Sequence, residues 1–221
     1  MVQKTIFIHF YISCFLGHTS FSKEFLKDFF IFPNGLRVSF NSMNTKNKII
    51  KTTTHILLEK GFHGTRISEI LERSKTSKGS LYYFFPEGKN QLFKECLKLY
   101  ALQSSIKFKD LFNKADNLKD GLSKIIAYSK DEIKHSKYVT GNLLVNVSQE
   151  INSDHKEIQK LCKELFELII TTIESFFFEY SIQTWKQSAR NFVLKLNGAI
   201  ILSKACKTTV FLDDLIQEYS A

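Results

Sequence analysis

From Thr45 onward the apolar residues of this chain recur at helical spacing, and that period admits little besides a bundle of helices. Ile49, Ile50, Thr53, Ile56 and Leu57 follow the i, i+3, i+4, i+7 rule. Gly61 is the left-handed stop expected just after such a helix. Thr65 stands where its hydroxyl would accept from the free amides of a second helix, whose inner face is Ile67, Ile70 and Leu71. A polar break at residues 74–77 leads into a third short helix over residues 77–84, with Leu81 and Phe85 facing inward. Lys78, Ser80, Tyr82 and Tyr83 are then left pointing away from the core. Pro86-Glu87-Gly88 ends the unit, since proline disfavours helix in the residue before it.

A long helix follows from Glu87 or Lys89, carrying Leu92, Phe93, Cys96, Leu97, Tyr100 and Ala101 on one side. Further helical patterns cover residues 117–135, 140–151, 154–180 and 185–207. No segment alternates with period 2, and 9 glycines and 2 prolines in 221 residues are too few for the turns of a sandwich or barrel. The expected fold class is therefore all-α. With 43% apolar residues the chain can bury a core, which excludes disorder as its main state.

The net charge of +9 favours polyanions, and it is unevenly spread. Residues 43–105 hold eleven basic and five acidic side chains, net +6, whereas residues 106–221 hold 16 and 15, net +1. Residues 1–42 add four basic and two acidic side chains together with 9 of the 21 phenylalanines. Within them Ile6 to Leu16 is an apolar run of 11 residues, shorter than the roughly 20 that a membrane span needs. Gly17-His18-Thr19-Ser20 matches a signal cleavage site poorly. The expectation is that Met43 is the natural start and residues 1–42 a non-native leader or poorly ordered extension. A genuine N-terminal segment packed on the domain, or a secretory signal, is the alternative.

Two short helices joined by a polar turn, the second exposing lysine, serine and two tyrosines, are what a helix-turn-helix requires. A recognition helix must be slim enough for the major groove, anchored by apolar residues behind, and furnished in front with donors and flat rings. Leu81 and Phe85 are the anchors. Lys78 and Lys89 can neutralise phosphates, the Tyr82 and Tyr83 hydroxyls can reach phosphate oxygens, and a tyrosine ring can pack on a thymine methyl. The second helix's N-terminus at Thr65 attracts a phosphate through its free amides.

These residues also carry a resemblance. Over residues 48–93 the matches are Gly61-Phe62, Gly64-Thr65, Ile67, Glu69-Ile70, the run from Ser77 to Phe85, Lys89 and Leu92. They resemble the N-terminal DNA-binding domain of TetR/AcrR-type transcriptional regulators. Phe85-Pro86-Glu87-Gly88-Lys89 is one residue longer than the commonest form and is similar to the LmrA/YxaF-like subgroup. The resemblance implies a three-helix helix-turn-helix domain at 43–92 and a helical effector-binding and dimerisation bundle at 93–221. It implies operator contacts by Thr65, Arg66, Ser77, Lys78, Gly79, Ser80, Tyr82, Tyr83 and Lys89, with Gly79 allowing close backbone approach. Two positions depart from the pattern. Lys75 stands where many members have glycine, which is tolerable if it avoids a left-handed conformation. Phe84 replaces a frequent histidine and removes a possible phosphate donor.

The near-neutral, apolar C-terminal half suits ligand binding and dimerisation. Gly141-Asn142-Leu143-Leu144, with Gln149-Glu150 beyond, is similar to a phrase in some effector domains of the family. Asn142 occupies a position often held by cysteine, so electrophile sensing there is not expected. The resemblance implies a homodimer through the last two long helices, with Leu165, Ile169, Ile173, Phe192, Leu196 and Ile200 as interface residues, and an intrasubunit core is the alternative for part of this set. It also implies an effector cavity beneath the DNA domain, for which Phe93, Leu97, Tyr100, Tyr138, Leu143, Asn146 and Trp185 are candidates. Aromatic residues at helical spacing are equally ordinary core, and the sequence leaves that alternative open.

An enzyme is not expected: there is no phosphate-binding glycine loop, and the six histidines are scattered. The cysteines at 14, 96, 162 and 206 form no CxxC pair, so no metal or cofactor is expected, and buried thiols in a reducing cytoplasm fit them best. The expected function is a cytoplasmic repressor that binds double-stranded palindromic operator DNA as a homodimer and is released by a small apolar or aromatic effector. The alternative is a helical small-molecule-binding protein of the same fold without sequence-specific DNA binding. No membrane association is expected, since it would rest on residues 6–16 alone.

Overall fold

The computed structural model describes residues 40–220, and the expected leader lies, up to residue 39, outside the described residues. The helices are α1 (Phe40–Gly64), α2 (Ile67–Ser74), α3 (Lys78–Phe84), α4 (Lys89–Asn113), α5 (Leu118–His135), α6 (Leu143–Glu150), α7 (Lys156–Glu179), α8 (Trp185–Cys206) and α9 (Val210–Ser220). One 3₁₀ turn, Ser153–His155, precedes α7. No strand occurs among the described residues, as the all-α expectation required.

The breaks between the first helices follow from single residues. Gly61 has φ 72° and ψ −171°, a conformation open essentially to glycine alone, and it kinks the end of α1. Beyond the kink the expected N-cap is not formed. Thr65 is fully buried and its hydroxyl donates to the Gly61 carbonyl at 2.6 Å, while Arg66 occupies the cap position of α2 without a side-chain hydrogen bond. The kinked chain turns the threonine inward, where that carbonyl is its nearest acceptor.

Lys75 ends α2 at φ 50° and ψ 46°, inside the left-handed region. The condition set for replacing glycine there is therefore not met, at a cost of about 1–2 kcal/mol. The Schellman bonds, Lys75 N–H to Glu72 C=O and Thr76 N–H to Leu71 C=O, hold it in place. Ser77 caps α3 by accepting from the Ser80 amide at 3.0 Å.

Two apolar clusters make the interior. One joins Ile49, Ile56 and Phe62 of α1, Ile70, Leu81 and Phe85 to Phe93 and Leu97 of α4, and to the inner faces of α6 and α7. The other joins the end of α4 to α5, α8, α9 and the second half of α7. Because α4 runs unbroken from Lys89 to Asn113, the first three helices share their interior with the bundle. Leu212 and Leu215 of α9 are buried in the second cluster, in a helix whose 11 residues carried no expectation.

Candidate nucleic-acid interface and effector cavity

The short helix α3 is a two-sided object. Leu81 and Phe85 are completely buried, while Tyr82 and Tyr83 are 42% and 69% exposed on the opposite side. Ser77, Lys78 and Gly79 are exposed beside them, and Ser80 is half-buried. The Lys78 ammonium lies 6.0 Å from the centre of the Tyr82 ring, which brings a charge and a flat ring onto one face. A Cβ added at Gly79 would meet nothing closer than the Ser77 hydroxyl at 3.7 Å, so the open space there lies toward solvent. Arg66 is exposed at the start of α2.

The frame behind this face is ionic. Arg73 of α2 reaches Glu59 of α1 and Glu69 at 2.7 Å each, and Lys60 meets Glu69 at 2.7 Å. The Lys60 ammonium, with Arg73, holds the Glu69 carboxyl below its ordinary value. Two of these pairs, Arg73–Glu59 and Lys60–Glu69, tie α2 to α1, while Arg73–Glu69 lies within α2.

Two of the expected contact residues stand elsewhere. Thr65 is withdrawn into the core, so its hydroxyl does not face a phosphate. Lys89 lies 5.5 Å above the Phe62 ring and 5.0 Å above that of Phe93, and burial pushes its ammonium down from the ordinary lysine value, against the nearby Glu150 carboxylate. The cause is Gly88, at φ 72°, which turns the chain so that the first residue of α4 points inward. Seven of the nine expected residues, Arg66, Ser77, Lys78, Gly79, Ser80, Tyr82 and Tyr83, remain at the surface or close to it.

The family model of bacterial regulatory proteins, tetR family, matches residues 49–96, and that of the LmrA/YxaF-like transcriptional regulator C-terminal domain matches residues 119–218. This chain belongs to the TetR family. An uncharacterized HTH-type transcriptional regulator of Lactococcus lactis subsp. lactis, from the lacX 3′ region, is 28% identical over 175 residues, 75% of this chain and 86% of that one. The HTH-type regulator LmrA of Bacillus subtilis is 23% identical over 124 residues, 56% and 66% of the two chains. Among solved structures, a CifR cysteine mutant complexed with 26-bp operator DNA superposes with a TM-score of 0.69 at 14% identity, over 83% of this chain and 97% of that one. The chain is thus a TetR-type transcriptional regulator with a helix-turn-helix DNA-binding domain, and not an enzyme.

In the C-terminal part of this TetR-family chain a cavity of ≈ 120 Å³ is lined by α4, α5, α7 and α8, by the start of α6 and by Leu58 of α1. Only Tyr100 of the seven expected pocket residues lines it. Phe93 and Leu97 are completely buried in the first cluster, and Leu143 turns into the same core. Tyr138, at φ 62° in the turn after α5, packs on the second cluster. Asn146 stands beside Gly141 outside the cavity, and Trp185 sits at the start of α8 against Phe178.

The cavity's apolar wall includes Phe108, Ile173 and Phe192, and its polar wall is Tyr100, Tyr128, Glu132, Asn142 and Asn197. Burial pushes the Tyr100 phenol up to about 12 and raises that of Tyr128, with Glu132 adding to both. Asn142 caps α6 by accepting from the Leu144 amide and donates to the Asn197 amide oxygen at 2.8 Å. Among the described residues no cluster of metal-ligating side chains occurs, and no helix is long and apolar enough to cross a membrane.

The six residues expected at a dimer interface are all intrasubunit core. Ile173 and Phe192 are fully buried, and Leu165, Ile169, Leu196 and Ile200 nearly so. The outward faces of α7 and α8 carry a second apolar set, Leu168, Leu194, Ile201 and Leu202, of which Leu194 is 70% exposed. α8 is thus apolar on two sides, whereas α7 exposes Leu168 among Lys163, Glu164, Glu167 and Thr171.

Proposed function

We propose that this regulator is a repressor whose homodimer, formed through the outward faces of α7 and α8, binds a palindromic operator in the cytoplasm. Residues 43–92 hold the DNA and residues 93–221 the effector and the partner subunit. Each α3 enters the major groove, and the two lie about one helical turn, ~34 Å, apart. Lys78 and the Tyr82 and Tyr83 hydroxyls take phosphate oxygens, Gly79 and Ser80 allow close approach, and Arg66 and Ser77 contact the flanking backbone. The observation that carries this reading is the pairing of two fully buried anchors, Leu81 and Phe85, with an opposite face that exposes Lys78, Tyr82 and Tyr83.

A small apolar or aromatic molecule enters the cavity between α4, α5, α7 and α8 and shifts the subunits to a spacing that no longer fits the operator. The coupling is reciprocal, so operator weakens effector binding by the same factor. The reading draws on CifR, whose similar fold holds operator DNA.

The test is a gel-shift titration of the full-length protein on its own flanking intergenic DNA, over a salt series. Specific retardation that weakens as salt rises is expected, because phosphate contacts release counterions. No retardation even at low salt would sink the reading, and would favour a small-molecule-binding protein of the same fold.

A further inference from the structure

Two helix faces bring one charge and two phenol rings to the cavity. On α4, Tyr100, Ser104 and Phe108 follow at four-residue spacing and so lie on one side, and on α5 Tyr128 and Glu132 do the same. No lysine, arginine or histidine is among the described residues that line the cavity, and Glu132 is the one charged side chain there. It is exposed, which puts it at the mouth. Among the described residues its carboxylate has neither an ion pair nor a hydrogen bond.

Burial first, with the Glu132 charge contributing after it, raises the phenols of Tyr100 and Tyr128, so the carboxylate lies within electrostatic reach of both. Lys107 of α4, outside the lining, holds its ammonium over the Tyr128 ring, 5.3 Å from the centre. That ring is thus placed to carry a positive charge. Elsewhere the wall is largely apolar, with Phe108, Ile173 and Phe192. Its ≈ 120 Å³ is close to the ~150 Å³ of an apolar cavity that holds benzene, which limits the apolar part of a ligand to about one ring.

We propose that the molecule this cavity takes is an aromatic cation, a single ring bearing an ammonium group on a short chain. The inference rests on the regulator reading above and names the chemical class of its effector. The ring lies among Phe108, Ile173 and Phe192, and the ammonium stays at the mouth, paired with the Glu132 carboxylate and set against the faces of Tyr100 and Tyr128. A neutral ring gains the apolar wall alone. An anion meets the Glu132 charge and finds no cation in the lining to hold it, so the same carboxylate that attracts the one excludes the other.

The test is calorimetric titration of the full-length protein at neutral pH with three probes of one shape: phenethylamine, which is then a cation, 2-phenylethanol and 3-phenylpropanoate. The cation is expected to bind about tenfold more tightly than the alcohol, and the propanoate most weakly. Glu132→Gln, at an exposed position that folding does not depend on, should weaken the cation about five- to tenfold and leave the alcohol within about twofold. Tyr128→Leu should likewise weaken the cation more than the alcohol. Equal binding of cation and alcohol, tighter binding of the propanoate, or an unchanged cation affinity in Glu132→Gln overturns the proposal, as does failure of all three probes to bind at millimolar concentration. The regulator reading is judged apart, by adding phenethylamine to the complex with the flanking intergenic DNA. Cation binding that depends on Glu132 while the DNA stays bound supports the cation site and contradicts the effector reading alone. If wild type holds no DNA, the regulator reading fails and the calorimetry still decides the class of ligand.

Discussion

The ring of Phe112, at the end of α4, lies flat on that of Phe176 in α7, with centroids 4.0 Å apart and planes 6° from parallel. Both rings are buried, and Gly121 of α5 backs onto Phe112 so closely that a Cβ there would meet the ring at 2.4 Å. Phe112→Ala is expected to cost about 3–5 kcal/mol in urea unfolding. Gly121→Ala should cost about 1–3 kcal/mol by overpacking. The double variant should fall short of the sum, because removing the ring removes the clash. Strict additivity would show that the two residues do not meet.

Lys75 holds a left-handed conformation that glycine adopts freely. Lys75→Gly is expected to stabilise the protein by about 0.5–1 kcal/mol, the relief of strain exceeding the added freedom of the unfolded chain. Urea midpoints of the two forms measure it. A lower midpoint in Lys75→Gly would mean that the lysine is not strained.

Lys78 and Lys89 differ in where their charge sits, and salt dependence separates them. Lys78→Ala should reduce the slope of log affinity against log salt by about 0.9 for each subunit, the signature of one lost phosphate contact. Lys89→Met should leave the slope unchanged, since that ammonium faces Phe62 and Phe93. Fluorescence anisotropy of labelled intergenic DNA gives both slopes, and equal losses would place Lys89 on the DNA.

Thiol reactivity follows burial. Cys96 is fully buried and burial pushes its thiol up to about 12, Cys162 is buried and raised, and Cys206 is exposed. Of these three, Cys206 should take up iodoacetamide first in the native protein, and Cys96 should stay unlabelled even at pH 9, where its thiolate remains a minor fraction. Peptide mass spectrometry reads the order. Early labelling of Cys96 would contradict its burial.

The DNA-facing helix was legible in the sequence because its signals are local. Leu81 and the cap residue Phe85 fall four apart at the end of a short helix, which leaves Lys78, Tyr82 and Tyr83 to face out. The bundle was less legible because α8 is apolar on two sides and α7 places one leucine among its outward charges. Leu165 and Leu168 carry the same side chain, and only the position of neighbouring helices makes one core and the other surface. The cavity failed for the same reason: Tyr100 and Phe93 are alike in pattern, and α4 rotates one toward the opening and the other into the core. Thr65 and Lys89 were misplaced by the two positive-φ glycines, Gly61 and Gly88, whose turns redirect the residues that follow. The Glu150 carboxylate accepts from the His63 amide across 87 residues of chain, and no local pattern encodes that contact.

The most direct test of α3 as the recognition element is a paired anisotropy titration of wild type and the double variant Lys78→Ala/Tyr83→Ala on the same intergenic fragment. Both side chains are exposed, so circular dichroism and the urea midpoint should not move. Affinity is expected to fall at least about tenfold. Unchanged affinity in a folded double variant would contradict the assignment of α3 to the major groove.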